Sequence, residues 1–402
     1  MKKKHKGLIL TYCFPPFPSP ESFITLKLVH GLSEKVDLDI LTMEYNDKNK
    51  VEINLDRFFK SNIKIIRIRI PKLIKIFLGL PRLPIRPDRY LLLYPIFRLK
   101  LNNIVKQGKY DFFFTRSQFH SAHLLGLFLK KKYPKVPWIS SYSDPWEKNP
   151  VQKYIPIFEN FSNFLQDKVL RNSDYLIFPI KELQLFFQKI LKFDISKKSL
   201  IVPHTYLPKL YKKNTLKKKN ENFKIRYFGK IYANRNIFPF LQAVKKLKQI
   251  GYEFDVELYL DDDFRKNNID TICEYQKIIK FYRYVKPLRY IELLQSSDLL
   301  ILLDVDEDFG KLFFQSKLVD YIGSKNKILH IGKSNTFNKK LILENNCFST
   351  LNNFKHIQFS LRKILDTKEK FKVNKNLVDK FRLDKVSSQF FKVLDKIITN
   401  YD

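Results

Sequence analysis

Short apolar runs alternating with longer amphipathic stretches constrain this 402-residue chain more than any other feature. GLILTYCF, VDLDILTM, YDFFFTRS, VPWISSYSDPW and DYLIFPI are the runs of the first half, and NIKIIRIRI is a further candidate. Between them lie PESFITLKLVHGLSEK, SAHLLGLFLKKKY, FENFSNFLQDKVLRNS and KELQLFFQKILK, whose apolar residues recur at helical spacing. Parallel strands need a long crossover, which is usually a helix, and helices on both faces bury the strands completely. The pattern therefore predicts a parallel sheet with helices on each side. A second series follows the polar, lysine-rich stretch 209–222: FKIRYFG, NIFPFLQAVKKLKQIG, EFDVELYL, KIIKFYRYV, RYIELLQSS, DLLILLDV, SKLVDYIGS and KILHIG. Amphipathic helices run from about residue 356 to the end. The expected class is α/β, with two doubly wound Rossmann-like domains, 1–205 and 206–385. A last helix, 386–402, is placed to pack back on the first domain.

Charge narrows the partners. Lys and Arg number 75 against 40 Asp and Glu, a formal net charge of +35. Such a field attracts polyanions, whether nucleic acid, anionic lipid or phosphorylated substrates. Part of it is the Lys-, Ile-, Asn- and Phe-rich usage that an AT-rich genome produces. Its distribution is more telling: residues 57–110 hold 14 Lys and Arg with one acid, Asp88, interleaved with Ile, Leu and Phe. That composition fits a segment lying on an anionic membrane surface. RNA-binding signatures with stacking aromatics are lacking, so nucleic acid is not the expected partner.

No run approaches the roughly 20 apolar residues that span a bilayer. The start, MKKKHKGLILTYCFPPFPSP, has the order of a secretory leader, but the apolar part is short and runs into Pro15-Pro16 without a small-residue cleavage site. It reads better as a first buried strand. Cys13, Cys273 and Cys347 stand far apart and have neither disulfide-frame nor zinc spacing. The expected location is the cytoplasm, peripheral on the inner face of the cytoplasmic membrane. No metal is expected.

GxGxxG, GxxxxGK[ST], HExxH, GxSxG and HRD motifs do not occur, which disfavours dehydrogenase, P-loop, zincin, α/β-hydrolase and kinase chemistry. Two patches carry the remaining chemical signal. In FKIRYFGKIYANRN, a strand ends at Gly229, Lys230 follows, and Arg235 precedes a helix that starts near Asn236. Cations beside a helix N-terminus suit a diphosphate. In FFQSKLVDYIGSKNK, Gln315 or Ser316 can cap a helix with Lys317 in its first turn and Asp320 one turn on. A lysine opposes the macrodipole there, and a bound anion would offset it. In the first half, Ser143-Asp144-Pro145-Trp146 ends an apolar run on an acid, where open α/β sheets place ligands.

Taken in order, these stretches resemble the GT-B glycosyltransferases of the family 4-like group that builds bacterial surface polysaccharides. LTYCFPPFPSPESFITLKLVHGL matches that group's opening strand, FPP loop and helix. FFFTRSQFHSAHLLG leading to SYSDPW matches its strand, helix and strand ending in DPW, and IVPHTY its turn at the domain junction. Gly229, Lys230 and Arg235 match its G-(R/K)-x4-(K/R), and Lys317-Leu318-Val319-Asp320-Tyr321-Ile322-Gly323 its K-l-x-E-y-l-a.

The resemblance implies two domains facing across a cleft and transfer of a sugar from a UDP- or GDP-linked donor. The acceptor would be lipid-linked or a polysaccharide, in lipopolysaccharide, O-antigen or capsule assembly. Retention of configuration is implied, with no cofactor beyond the donor. Gly229, Lys230, Arg235, Lys317 and Asp320 would bind the donor. Lys230, Arg235 and Asp144 would be catalytic, and Arg116, Ser117, His120, His123 and Trp146 would line the acceptor side. The chain departs from the pattern at Ser19-Pro20-Glu21-Ser22, where the group has glycines, and at Asp320, where it has Glu. The group's earlier partner Glu is missing at its spacing; Glu307 and Asp308 stand further upstream. A degenerate copy, an epimerase of the same fold and a basic nucleic-acid-binding protein are the alternatives.

Overall fold

The computed structural model describes residues 4–45, 62–80, 85–149, 158–211, 222–231, 235–305, 308–333, 335–367 and 372–401. Glu307 and the lysine-rich stretch within 212–221 lie outside these residues. The chain divides into two compact units, Met1–Thr205 with Leu383–Asp402, and Tyr206–Arg382.

The first unit is a seven-stranded parallel sheet in the order β3-β2-β1-β4-β5-β6-β7. Its strands are β1 (Lys6–Leu10), β2 (Asp37–Met43), β3 (Ile63–Ile68), β4 (Phe112–Arg116), β5 (Trp138–Ser141), β6 (Tyr175–Phe178) and β7 (Ser199–Ile201). Its helices are α1 (Pro20–Ser33), α2 (Lys72–Gly79), α3 (Tyr94–Gln107), α4 (Ala122–Lys132), α5 (Glu159–Asn172) and α6 (Lys181–Ile190). The second unit repeats the plan with six strands, β10-β9-β8-β11-β12-β13. These are β8 (Lys224–Phe228), β9 (Asp255–Tyr259), β10 (Lys280–Tyr282), β11 (Leu299–Leu303), β12 (Lys327–Ile331) and β13 (Phe348–Thr350). Their helices are α7 (Phe238–Gln249), α8 (Asp262–Asn267), α9 (Ile269–Tyr275), α10 (Pro287–Gln295), α11 (Ser316–Ser324), α12 (Phe337–Glu344), α13 (Phe354–Asp366) and α14 (Lys375–Lys380).

The central strands explain the sequence pattern. Every residue of β4 (FFFTR) and of β11 (LLILL) is buried, as a strand covered on both faces requires. The edge strand β3 is only half-covered, and its sequence IKIIRI carries two cations. In each unit the strand order reverses direction between two neighbours, β1 and β4 or β8 and β11. Ligands bind such sheets at that switch point, outside the carboxyl ends of the strands.

The last helix, α15 (Leu383–Thr399), belongs to the first unit and buries Leu383, Val386, Phe390, Leu394 and Ile397 at helical spacing. It crosses α1 at Gly31, where an added Cβ would stand 2.6 Å from Ser387 Cβ. It starts at Leu383, three residues before the sequence boundary at 386. Among the described residues no helix is long and apolar enough to cross a membrane.

Candidate functional site

In the first unit, the carboxyl ends of β4 and β5 and the start of α1 gather one polar cluster. Ser19 caps α1, accepting from the Glu21 N–H at 3.1 Å, and Pro20 occupies the first turn, where its missing N–H costs nothing. This cap fixes Glu21 in the first turn, where the macrodipole favours a carboxylate. Arg116, the last residue of β4, donates to Glu21 Oε2 at 3.2 Å, to Ser141 Oγ at 3.1 Å and to Ser143 Oγ at 3.2 Å. Ser143 Oγ in turn donates to Glu21 Oε2 at 2.9 Å. Asp144 follows, accepting from Gln118 Nε2 at 2.6 Å.

The electrostatics are unusual for a loop. Burial raises the Glu21 carboxyl above the usual range, although the Arg116 guanidinium and Ser143 oppose the rise. Burial, with the Glu21 charge adding to it, pushes Asp144 up to about 7. Asp144 is thus poised to hold or release a proton at neutral pH, the range in which a general acid or base works. Its folded-state value lies above the 3.8 of an ordinary Asp, so the folded protein binds this proton more tightly than the unfolded chain. The stability it contributes is full below about pH 4 and is lost as the pH rises toward about 7. Asp144→Asn is therefore expected to stabilise the protein by about 4 kcal/mol at pH 8 and by little at pH 4. Urea unfolding at the two pH values checks this; an equal effect at both would show that the carboxylate is not the destabilising group.

The histidines and Trp146 are packed beneath this cluster. His123 and Ser117 are fully buried, and Trp146 has no exposed surface. His123 Nδ1 lies 2.8 Å from Thr115 Oγ1, which also accepts from Trp138 Nε1 at 2.9 Å. Ser117 Oγ accepts from the Ser143 N–H at 3.2 Å. Trp146 Nε1 donates to Ser162 Oγ at 3.2 Å, and its ring stacks on His120 at 5.1 Å. Burial holds His123 well below its usual range and His120 at about 4, so both are neutral at pH 7. Ser117, His123 and Trp146, expected on the acceptor side, have their side chains buried beneath the loop and support it, because an apolar helix face and a stacked indole are more stable out of water. Arg116 is also buried and acts through Glu21 and Ser143.

In the second unit, β8 ends at Phe228, and Gly229 adopts φ +130°, which a side chain rarely tolerates. The turn sends Lys230 outward while its carbonyl accepts from the Tyr227 hydroxyl at 3.1 Å. Lys317, in the first turn of α11, does not point into solvent. Its ammonium donates to the Phe228 carbonyl at 3.0 Å and lies 4.4 Å over the Tyr227 ring. A Cβ on Gly229 would come within 3.3 Å of it. Burial, and then the nearby Arg235 charge, hold the Lys317 ammonium well below its usual range, with Asp304 opposing. Arg235 and Lys317 thus sit beside a helix N-terminus, and an anion would relieve both their mutual repulsion and the dipole. The cap of α11 is Gln315, but its side chain makes no capping bond and instead binds Asp304 Oδ1 at 2.9 Å. Asp304 is locked by His330 Nε2 at 3.2 Å and Asn338 Nδ2 at 3.1 Å.

Asp320 lies one turn beyond Lys317, half-buried, and its carbonyl accepts from the Tyr211 hydroxyl at 3.0 Å. Tyr211, Tyr284 and Tyr290 are raised by burial and then by the Asp320 charge, which places its carboxylate among three phenols. Phe228 stacks on Tyr259 at 4.7 Å and Tyr259 on Tyr282 at 4.9 Å, beside the same strand ends.

The structure thus gathers Arg116 and Asp144 in one unit and Gly229, Lys230, Arg235, Lys317 and Asp320 in the other. Sequence reasoning did not select Glu21, Gln118 or Asp304 as site residues. The signal for Glu21 was present, because it stands where the resemblance leads one to expect glycine. Among the described residues, no group of three or more His, Cys, Asp or Glu is placed to hold a metal ion.

No protein-family model and no curated protein sequence matches the chain. Solved structures do. A sucrose-phosphate synthase from Thermosynechococcus elongatus superposes with a TM-score of 0.73 at 12% identity, covering 99% of this chain and 100% of that one. WaaG, a glycosyltransferase involved in lipopolysaccharide biosynthesis, gives 0.58 at 10% identity over 96% and 94% of the two chains. A UDP-GlcNAc 2-epimerase from Methanocaldococcus jannaschii, solved with UDP-GlcNAc and UDP, gives 0.57 at 13% identity over 98% and 100%. Identities this low speak for architecture alone, and that architecture, two doubly wound parallel sheets whose strand orders reverse in the same way, is the GT-B fold of the glycosyltransferases.

Proposed function

We propose that this protein is a glycosyltransferase that moves a sugar from a nucleoside-diphosphate donor to a lipid-linked or polysaccharide acceptor in bacterial cell-surface glycan assembly. The observation that carries the reading is the pair Arg235 and Lys317 beside Gly229 at the switch point of the second sheet. Two cations and a helix N-terminus converge where a leaving diphosphate would develop its charge, the task that dominates such chemistry. Lys230 adds a further cation at the mouth. Asp320 would accept from ribose hydroxyls.

Asp144, with a proton to give or take near pH 7, would meet the transferred sugar or the acceptor hydroxyl. In this reading the reaction retains configuration and needs no cofactor beyond a UDP- or GDP-linked donor. The protein works at the inner face of the cytoplasmic membrane, held there by its basic segment. The UDP-bound epimerase of the same fold supports a second reading, an epimerase acting on the donor alone.

A thermal-shift panel of UDP, GDP, ADP, CMP and their sugar conjugates tests the reading. One nucleoside diphosphate at about 100 times its dissociation constant is expected to add roughly 2.7 kcal/mol of stability, a shift of a few degrees. Transfer assays with the matching donor then separate transferase from epimerase. No stabilisation by any nucleotide in a folded sample would point to a degenerate copy.

A further inference from the structure

We infer that a groove on the β3 edge of the first unit, together with the outer face of α2, is a docking surface for the headgroups of anionic phospholipids. The inference rests on the membrane part of the reading above and is independent of sugar transfer. The groove encloses about 690 Å3 between the end of β3 and α3. Arg67, Arg69, Lys100, Lys106 and Lys132 line it, with Leu99 at the rim and no carboxylate among the lining residues. Arg67 donates through Nη2 to the Pro15 carbonyl at 2.6 Å, while its Nη1 is buried with no hydrogen-bond partner among the described residues. A buried guanidinium N–H without an acceptor is unfavourable, and a phosphate oxygen is the acceptor it best fits.

The acids nearby do not fill the groove. Glu44 faces Arg67. Asp88, the one acid of the basic segment, is turned inward, accepting from the Ser121 N–H at 2.9 Å and hydroxyl at 2.6 Å.

The helix that follows β3, α2, stands beside the groove with an uncovered face. None of the residues of α2 is buried. Only Ile74 and Leu78 are half-covered, on the side that meets the short 3-10 helix Arg89–Leu93. At about 100° per residue, Leu73, Ile76, Phe77 and Leu80 fall in one stripe on the opposite side. They are 66%, 63%, 44% and 41% exposed, and Leu99 beside the groove is 70% exposed. Lys72 and Lys75 flank the stripe. A mostly aliphatic ridge beside a cationic groove matches the boundary between acyl chains and phosphates, where apolar burial and charge act together. A single-stranded nucleic acid would call for aromatic platforms instead, and Phe77 is the only ring on the ridge.

The test is co-sedimentation of the full chain with vesicles of phosphatidylcholine alone or with added phosphatidylglycerol. Binding is expected only to the anionic vesicles. The Lys100→Gln/Lys106→Gln pair is expected to weaken it about 30-fold, from the loss of two cations at the surface. A control pair on the other unit, Lys355→Gln/Lys363→Gln, changes net charge equally and is expected to leave binding unchanged. Leu73→Ser/Ile76→Ser on the exposed ridge is expected to lower binding without lowering the melting temperature. Equal loss in the control pair, or no preference for anionic vesicles, would overturn the proposal. So would displacement by millimolar glycerol phosphate, which would mark a site for a free phosphate compound. Nucleotide-induced thermal shift, measured on the same variants, reports separately on the donor site.

Discussion

Arg235→Ala is expected to lower sugar transfer roughly 10²-fold, the effect of removing one preorganised charge contact from a developing anion. The expectation is specific because the same residue stands close enough to Lys317 to oppose its charge in the free protein. Its charge helps depress the Lys317 ammonium, so truncation relieves that like-charge contact. The nucleotide-induced shift should shrink at the same time, since one of the cations facing the diphosphate is then gone. Arg235→Lys should recover only part of the rate, because an ammonium is a point charge and lacks the planar fork that matches phosphate oxygens. Steady-state kinetics beside a thermal melt check all three outcomes. Near-normal turnover of the alanine variant would remove the diphosphate site from the mechanism.

The fold was legible because parallel strands covered on both faces must be apolar throughout. Phe112–Arg116 and Leu299–Leu303 stand out of the sequence for that reason. Elements that are short or lie at an edge were not legible. Lys72–Gly79 and Tyr94–Gln107 were absorbed into a basic segment, because no buried stripe marks the first and no capping side chain marks the second. Ser199–Ile201 and Phe348–Thr350 close the two sheets and are too short for a period to show. The same logic divides the site. Gly229, Lys230, Arg235 and Lys317 sit in local patterns, a strand end or a helix start, that sequence spacing can show. The Lys317 contact with the Phe228 carbonyl joins residues 89 positions apart, and the Arg116–Glu21 pair spans 95. Neither separation leaves a trace in a single sequence. Trp146 and His123 show a different limit: polar atoms on an aromatic frame suggest a ligand, and here His123 Nδ1 meets Thr115 and Trp146 Nε1 meets Ser162 in the core.

Arg116→Ala is expected to cost about 3–5 kcal/mol of stability at pH 7, the loss typical of breaking a buried ion pair on one side. The guanidinium neutralises Glu21 and holds Ser141 and Ser143. Without it the Glu21 carboxylate remains buried with the Ser143 hydroxyl as its remaining partner and with the Asp144 charge nearby. Glu21 already titrates above the usual carboxyl range in the intact protein, and loss of Arg116 raises it further. A protonated Glu21 carries no charge to be neutralised, so the loss should shrink as the pH falls toward 4.5. For the same reason Glu21→Gln is expected to recover most of the stability when added to Arg116→Ala, and the pair should show strong non-additivity in a double-mutant cycle. Urea unfolding of the two single variants and the double variant at pH 7 and pH 4.5 measures both effects. A small, pH-independent loss that Glu21→Gln does not repair would mean that Arg116 contributes by packing alone. The expected pattern would instead show that a charged pair fixes the loop in which Asp144 sits.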